Sequence, residues 1–180
     1  MHQLPEYLLP ACDLSADGST LGPITIKRSE FALGYVREHG GVLVCAAGYS
    51  PRPWHNLQPA TMAQMMADWF AERQFESVRV LKASRFNTRG ELAEFLKLEN
   101  PAGIIGDAQH LDRALILAGK IHPQKSKGLQ LIPVPGGALT PRAALLEPIK
   151  KRYASLPLWV QDSATFILHK TPVRRIQLSE

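Results

Sequence analysis

Apolar residues recur along the first 135 positions in five short runs, at residues 6–12, 41–47, 77–82, 103–107 and 128–134. Each run has the length of a buried strand. Val42-Leu43-Val44-Cys45 and Val78-Arg79-Val80-Leu81 also carry the β-branched side chains that strands favour. The stretches between the runs have a different period. Met62, Met65, Met66, Trp69 and Phe70 fall at i, i+3, i+4, i+7 and i+8, one face of an amphipathic helix and an expected core stripe. Leu92, Phe95 and Leu96 repeat that spacing, as do Leu111, Ala114, Leu115 and Ala118. Residues 24–37 carry a weaker version, with Phe31, Tyr35 and Val36 as the expected core face. Thr140-Pro141 pairs an N-cap residue with a first-turn proline and opens a helix expected to reach Tyr153. A last segment, 158–170, is expected to be helical and to end before Pro172.

Strands alternating with helices predict a Rossmann-like three-layer α/β fold, with a mostly parallel five-stranded sheet and a C-terminal helical extension. The expected organisation is one domain, with the α/β core over residues 1–138 and the extension over 139–180. Pro10 is the awkward position. Proline cannot donate to a sheet ladder, so the first strand is expected to be short, bulged or at an edge.

Composition narrows the class. With 180 residues, 45% hydrophobic and 21% charged, the chain can bury a core and is not disordered. Two cysteines exclude a disulfide scaffold or a multi-cysteine zinc module. No apolar run is long enough to cross a bilayer, and Met1-His2-Gln3-Leu4-Pro5-Glu6 lacks the basic and apolar regions of a signal peptide. A cytoplasmic protein without a membrane anchor is therefore expected.

The net charge of +5 is unevenly placed. Residues 1–119 carry 11 basic and 13 acidic side chains, whereas residues 120–180 carry 10 and 3. No RNA-binding aromatic motif accompanies the clusters Lys150-Lys151-Arg152 and Arg174-Arg175, so they read as solvated and nucleic acid is not an expected partner.

In open parallel sheets ligands bind beyond the carboxyl ends of the strands. The residues that follow the five runs are Cys12, Asp13 and Ser15; Gly48 through Asn56, including Ser50 and Trp54; Ser84, Arg85, Asn87 and Thr88; Asp107, His110 and Arg113; and Pro133 through Gly137. Such a rim, with arginines and small hydroxyl residues, suits a small anionic ligand. Thr88-Arg89-Gly90-Glu91 fits a capping box, and the helix it opens would direct free N–H groups at the same place. His110 and Arg113, at i and i+3, share a helix face. That pattern fits an acid/base histidine beside an anion-binding arginine, with Asp107 orienting the ring or capping the helix.

Asp13, Asp107 and His110 have metal-ligand chemistry but no tight motif spacing, so no metal is assigned, and no cofactor is named by the residues. Cys12 reads as a buried strand cysteine and less as a nucleophile. No G-x-S-x-G elbow, P-loop or G-x-G-x-x-G is present, which counts against α/β-hydrolases, ordinary NTPases and dinucleotide dehydrogenases.

Four segments carry a family resemblance. Ser84-Arg85-Phe86-Asn87-Thr88 resembles the S-x-x-N-T motif of the SanA/ElyC/YdcF family. Residues 105–114 resemble its strand followed by H-x-x-R-A, with His110, Arg113 and Ala114 at the named positions. Val44-Cys45-Ala46-Ala47-Gly48 sits where that family has a strand ending in a glycine-rich turn, and Tyr7–Gly18 would be its first strand and loop, so the likeness covers roughly residues 6–135. The resemblance implies a Rossmann-like domain with polar motifs at the strand tips, a nucleotide-like or phosphorylated ligand and a link to envelope physiology. Taken with the rim of strand-tip residues, it makes Gly48, Ser50, Ser84, Arg85, Asn87, Thr88 and Arg113 candidate ligand contacts and His110 a candidate catalytic residue, while the rim reading alone adds Asp13 as a ligand contact and Asp107 as the catalytic partner of His110.

The chain departs from the pattern at Ala11-Cys12-Asp13-Leu14, at Met62, at Gly90-Glu91 and at Asp107, and these changes remove two expected acids. Two functions follow as expectations: ligand binding with a hydrolytic or phosphoryl-transfer step, or non-catalytic binding with a regulatory role in envelope homeostasis.

Overall fold

The computed structural model describes residues 3–47, 59–82, 88–136 and 141–161. In chain order the elements are β1 (Glu6–Pro10), α1 (Pro23–His39), β2 (Val42–Ala46), α2 (Pro59–Ala71), β3 (Val78–Val80), α3 (Thr88–Phe95), β4 (Pro101–Gly106), α4 (Ala108–Ile121), the single turn α5 (Pro123–Ser126), β5 (Gln130–Pro133) and α6 (Pro141–Ser155). The five strands form one all-parallel sheet in the order β3-β2-β1-β4-β5.

Both faces of this sheet are covered, which explains why its strands read as unbroken apolar runs rather than as alternating ones. Leu9, Leu43, Cys45 and Ile105 join one core with Ala32, Leu33 and Val36 of α1 and Met62, Met66 and Phe70 of α2. Leu8, Val44 and Ile104 join the other with Leu92, Phe95 and Leu96, and with Leu111, Ala114 and Ala118 of α4. Ala154 of α6 completes that second layer. The methionine stripe is core at Met62 and Met66, with Met65 packed beside it. On α1 the buried face is Thr25, Arg28, Ser29, Ala32, Leu33 and Val36. The expected Phe31 and Tyr35 are only half-buried, against the edge of that core.

The first strand is not at an edge. β1 lies between β2 and β4, with a register irregularity between Glu6 and Tyr7. A central strand tolerates Pro10 because of where its backbone points. Glu6 N donates to Asn100 O, and Ala11 N to Ala46 O. Alternate residues address the same neighbour in a parallel ladder, so Pro10 faces β4. There the pairing with β4 ends at Leu8–Ile104, whereas pairing with β2 continues to Pro10–Ala46. The missing N–H falls where β1 and β4 have already parted.

That fork is also the topological switch point. The chain steps outward from β1 to β3, returns through α3 and starts outward again from β4. In such sheets the crevice between the diverging strands is the usual ligand site. Side chains of α4 hold α6 and the residue after it against the body. Lys120 Nζ donates to Ala154 O and Leu156 O at 2.8 and 2.6 Å, and Lys151 pairs with Asp112 at 2.7 Å. Among the described residues no helix is long and apolar enough to cross a membrane.

Candidate functional site

The fork between β1 and β4 is filled by a charged side chain from α1. Arg28 Nη1 donates to Pro10 O at 3.3 Å, taking the carbonyl that the sheet ladder leaves. Its Nη2 is ion-paired with Asp107 at the end of β4. Arg28 and Asp107 are 3% and 2% exposed, so this is a pair withdrawn from water. Arg28 reaches it because residues 25, 28, 29, 32, 33 and 36 share one helical face toward the sheet.

Asp107 is the N-cap residue of α4, but its side chain makes no capping bond. Its described partner is Arg28, neither the histidine ring nor the helix terminus that sequence reasoning offered it. The first intrahelical bond of α4 runs from Leu111 N to Asp107 O. The N–H groups of Ala108, Gln109 and His110 therefore form the open end of a 14-residue helix.

His110 stands on that first turn. Its Nδ1 lies 3.0 Å from Arg113 Nη2. A guanidinium only donates, so Nδ1 accepts and the ring proton resides on Nε2. Nε2 is buried and has no partner among the described residues. The adjacent carbon Cδ2 packs 3.6 Å from where a Cβ would stand on Gly106, at the end of β4. Burial above all, then the charges of Arg113, Arg28 and Lys150, pull the His110 pKa down to about 3. At neutral pH the ring is an uncharged N–H donor.

Three more buried polar atoms lack partners among the described residues: Arg28 Nε, Asp107 Oδ1 and Glu91 Oε1. Native interiors leave few such atoms, and each costs about 1–3 kcal/mol if nothing satisfies it. Glu91 lies in the first turn of α3, which packs beside α4. It is 2% exposed, and burial pushes its carboxyl up to about 8. The capping-box spacing predicts a Glu91 that reaches back toward Thr88. The structure buries the residue beside Leu92 and Phe95, and half-buried Thr88 lies in the helix at the limit of the described residues.

Asp13 is engaged elsewhere on the rim. Its carboxylate accepts the N–H groups of Thr25 at 2.8 Å and Ile24 at 3.3 Å, closing the start of α1. Thr25 Oγ1 in turn accepts from the backbone of Cys12 and Asp13 at 3.0 and 2.9 Å. Cys12 is neither on the strand nor buried, because β1 ends at Pro10 and the residue is exposed. Its thiol pKa is raised, first by the protein packed around it. Asp13 and Asp107 add to the effect, and Arg28 and Lys150 oppose it.

Of the sequence candidates, the structure brings Asp107, His110 and Arg113 together at the end of β4, with Asp13 on the neighbouring β1 loop and Thr88 at the start of α3. Gly48, Ser50, Ser84, Arg85 and Asn87, with Trp54, lie outside the described residues. Sequence reasoning missed Arg28, whose signal was present: a basic residue on the same helical spacing as Ala32 and Val36. It also missed Lys150, an exposed residue of α6 whose charge reaches both Cys12 and His110. Among the described residues no group of three His, Cys, Asp or Glu side chains is placed to hold a metal.

A cavity of about 600 Å³ lies at the opposite, amino-terminal edge of the sheet, lined by Glu6, Arg79, Lys97 and Asn100 among others. There Glu6 pairs with Arg79 at 2.8 Å and accepts Asn100 N at 3.3 Å. The cavity is far from the switch point, and its charged groups are satisfied within the fold. No family model matches the chain, and no curated protein or solved structure matches it either.

Proposed function

We propose that this chain is a SanA/ElyC/YdcF-like protein that binds a small anionic ligand, nucleotide-like or phosphorylated, at the switch point between β1 and β4. The observation that carries the reading is the uncapped start of α4, where His110 presents a buried Nε2–H beside Arg113 and the Arg28–Asp107 pair. Free helix N–H groups and a positive dipole end attract anions, and Arg113 and Lys150 add charge beside the neutralised Arg28–Asp107 pair. The motif residues around Asn87-Thr88 and His110-Arg113 support the family assignment, and a cytoplasmic location goes with it.

Binding without chemistry is the reading favoured by His110. Burial and its cationic neighbours hold His110 neutral and make it a poor proton acceptor, which suits it to donating Nε2–H to a ligand. A role as a ligand-sensing regulator of envelope homeostasis follows. Glu91 favours the second reading, a hydrolytic or phosphoryl-transfer enzyme. A carboxyl held protonated near neutrality is a suitable general acid, and it lies in the first turn of the helix beside α4.

Thermal-shift screening against nucleotides and sugar phosphates tests binding. The wild type should gain several degrees with at least one compound class, a response that Arg113→Ala loses. Absence of any shift in the wild type, or an undiminished one in Arg113→Ala, overturns the assignment. Phosphate release from the binding compound, absent in Glu91→Gln, separates the enzyme from the sensor.

A further inference from the structure

The partnerless atoms at the start of α4 are not all of one kind. His110 Nε2 and Arg28 Nε are donors, whereas Asp107 Oδ1 is an acceptor. Arg28 is paired with Asp107, and Asp107 is the N-cap residue of the helix whose first turn carries His110, so the three groups follow one another at the end of β4. A purely cationic anion site has no use for a buried carboxylate oxygen without a partner, because any approaching oxyanion meets a like charge there. The oxygen becomes favourable only toward a ligand that brings its own proton.

We infer that the site at the start of α4 selects a phosphomonoester in its singly protonated form, with its anionic oxygens on His110 Nε2–H, Arg28 Nε–H and the free N–H groups of α4, and its P–OH donated to Asp107 Oδ1. This deepens the anion-binding reading above and rests on it. A phosphate monoester has a second pKa near 6 and keeps a transferable hydrogen-bond proton around neutrality. A sulfate monoester has the same shape and carries no such proton. Sulfate oxygens only accept, so one of them would face Asp107 Oδ1 uncompensated, and discrimination follows from a single hydrogen bond. The large cost of unpaired buried polar groups makes such single-bond selection strong.

The test compares methyl phosphate with methyl sulfate at pH 5.5, where both are monoanions of the same outline that differ by one proton. Calorimetric titration of the full-length wild-type protein should show methyl phosphate binding at least tenfold more tightly. Its affinity should also fall as pH rises from 5.5 to 7.5, while that of methyl sulfate stays level. In Asp107→Asn the carboxamide supplies its own donor, so the ratio should approach one. Circular dichroism establishes that this variant is folded, and the wild-type comparison decides the matter even if it is not. Equal binding of the two esters, or methyl phosphate affinity rising with pH, overturns the inference and leaves anion binding standing. Failure of both esters to bind at millimolar concentration overturns the inference together with the reading beneath it.

Discussion

Replacing Asp107 by alanine should be among the most damaging single changes to this fold. The substitution leaves the Arg28 guanidinium buried, 3% exposed, with Pro10 O at 3.3 Å as its remaining described partner. Breaking a buried ion pair from one side costs about 3–5 kcal/mol, because the surviving charge can neither reach water nor find a counter-charge. A domain of this size loses about 2–4 °C of Tm per kcal/mol, so a fall of roughly 6–20 °C is expected. Urea denaturation followed by circular dichroism measures the cost directly. The double variant Arg28→Met with Asp107→Leu removes both charges and fills the fork with apolar atoms, and should recover most of the loss. If Asp107→Ala alone costs less than about 1 kcal/mol, the figure for an exposed pair, the pair is hydrated and the account of the fork is wrong.

Two predictions concern protonation. Glu91 has its pKa raised to about 8 from an ordinary 4.5, so the folded state binds the extra proton between those values. Its contribution is fully present below pH 4.5 and is lost as pH rises toward 8. Glu91→Gln should therefore flatten the decline of Tm between pH 6 and 8.5, and a Tm lower than wild type at pH 8.5 would refute the burial argument. His110 is shifted the other way, to about 3. Unfolding then takes up a proton between pH 3 and 6.5, so stability is lost as pH falls through that window. The His110 ring resonance in NMR should not titrate between pH 5 and 8, and an inflection near pH 6.5 would show a solvated ring.

Much of the architecture was legible in the chain because both periodicities report burial. The strands Val42–Ala46 and Pro101–Gly106 are buried on both faces, so they read as continuous apolar runs, and the stripe at Met62, Met66 and Phe70 reads as one helix face. Position relative to other strands is not encoded in that way. Pro10 looked unfit for a central strand until the β1–β4 divergence showed that its N–H was not required. Cys12 looked buried because the apolar run continued past the point where β1 ends.

The sequence by itself determined that strands and helices alternate, that the sheet is parallel and that polar residues gather after each strand. It also placed His110 and Arg113 on one helix face, since i and i+3 are neighbours on any helix. Only the tertiary structure decided what Asp107 is paired with. Arg28 lies 79 positions away along the chain, and their meeting depends on α1 and β4 being packed against the same central strand. Tertiary packing likewise made Glu91 a buried acid and His110 a neutral donor, because the shift in each comes chiefly from desolvation, a property of everything around a group rather than of its neighbours in sequence.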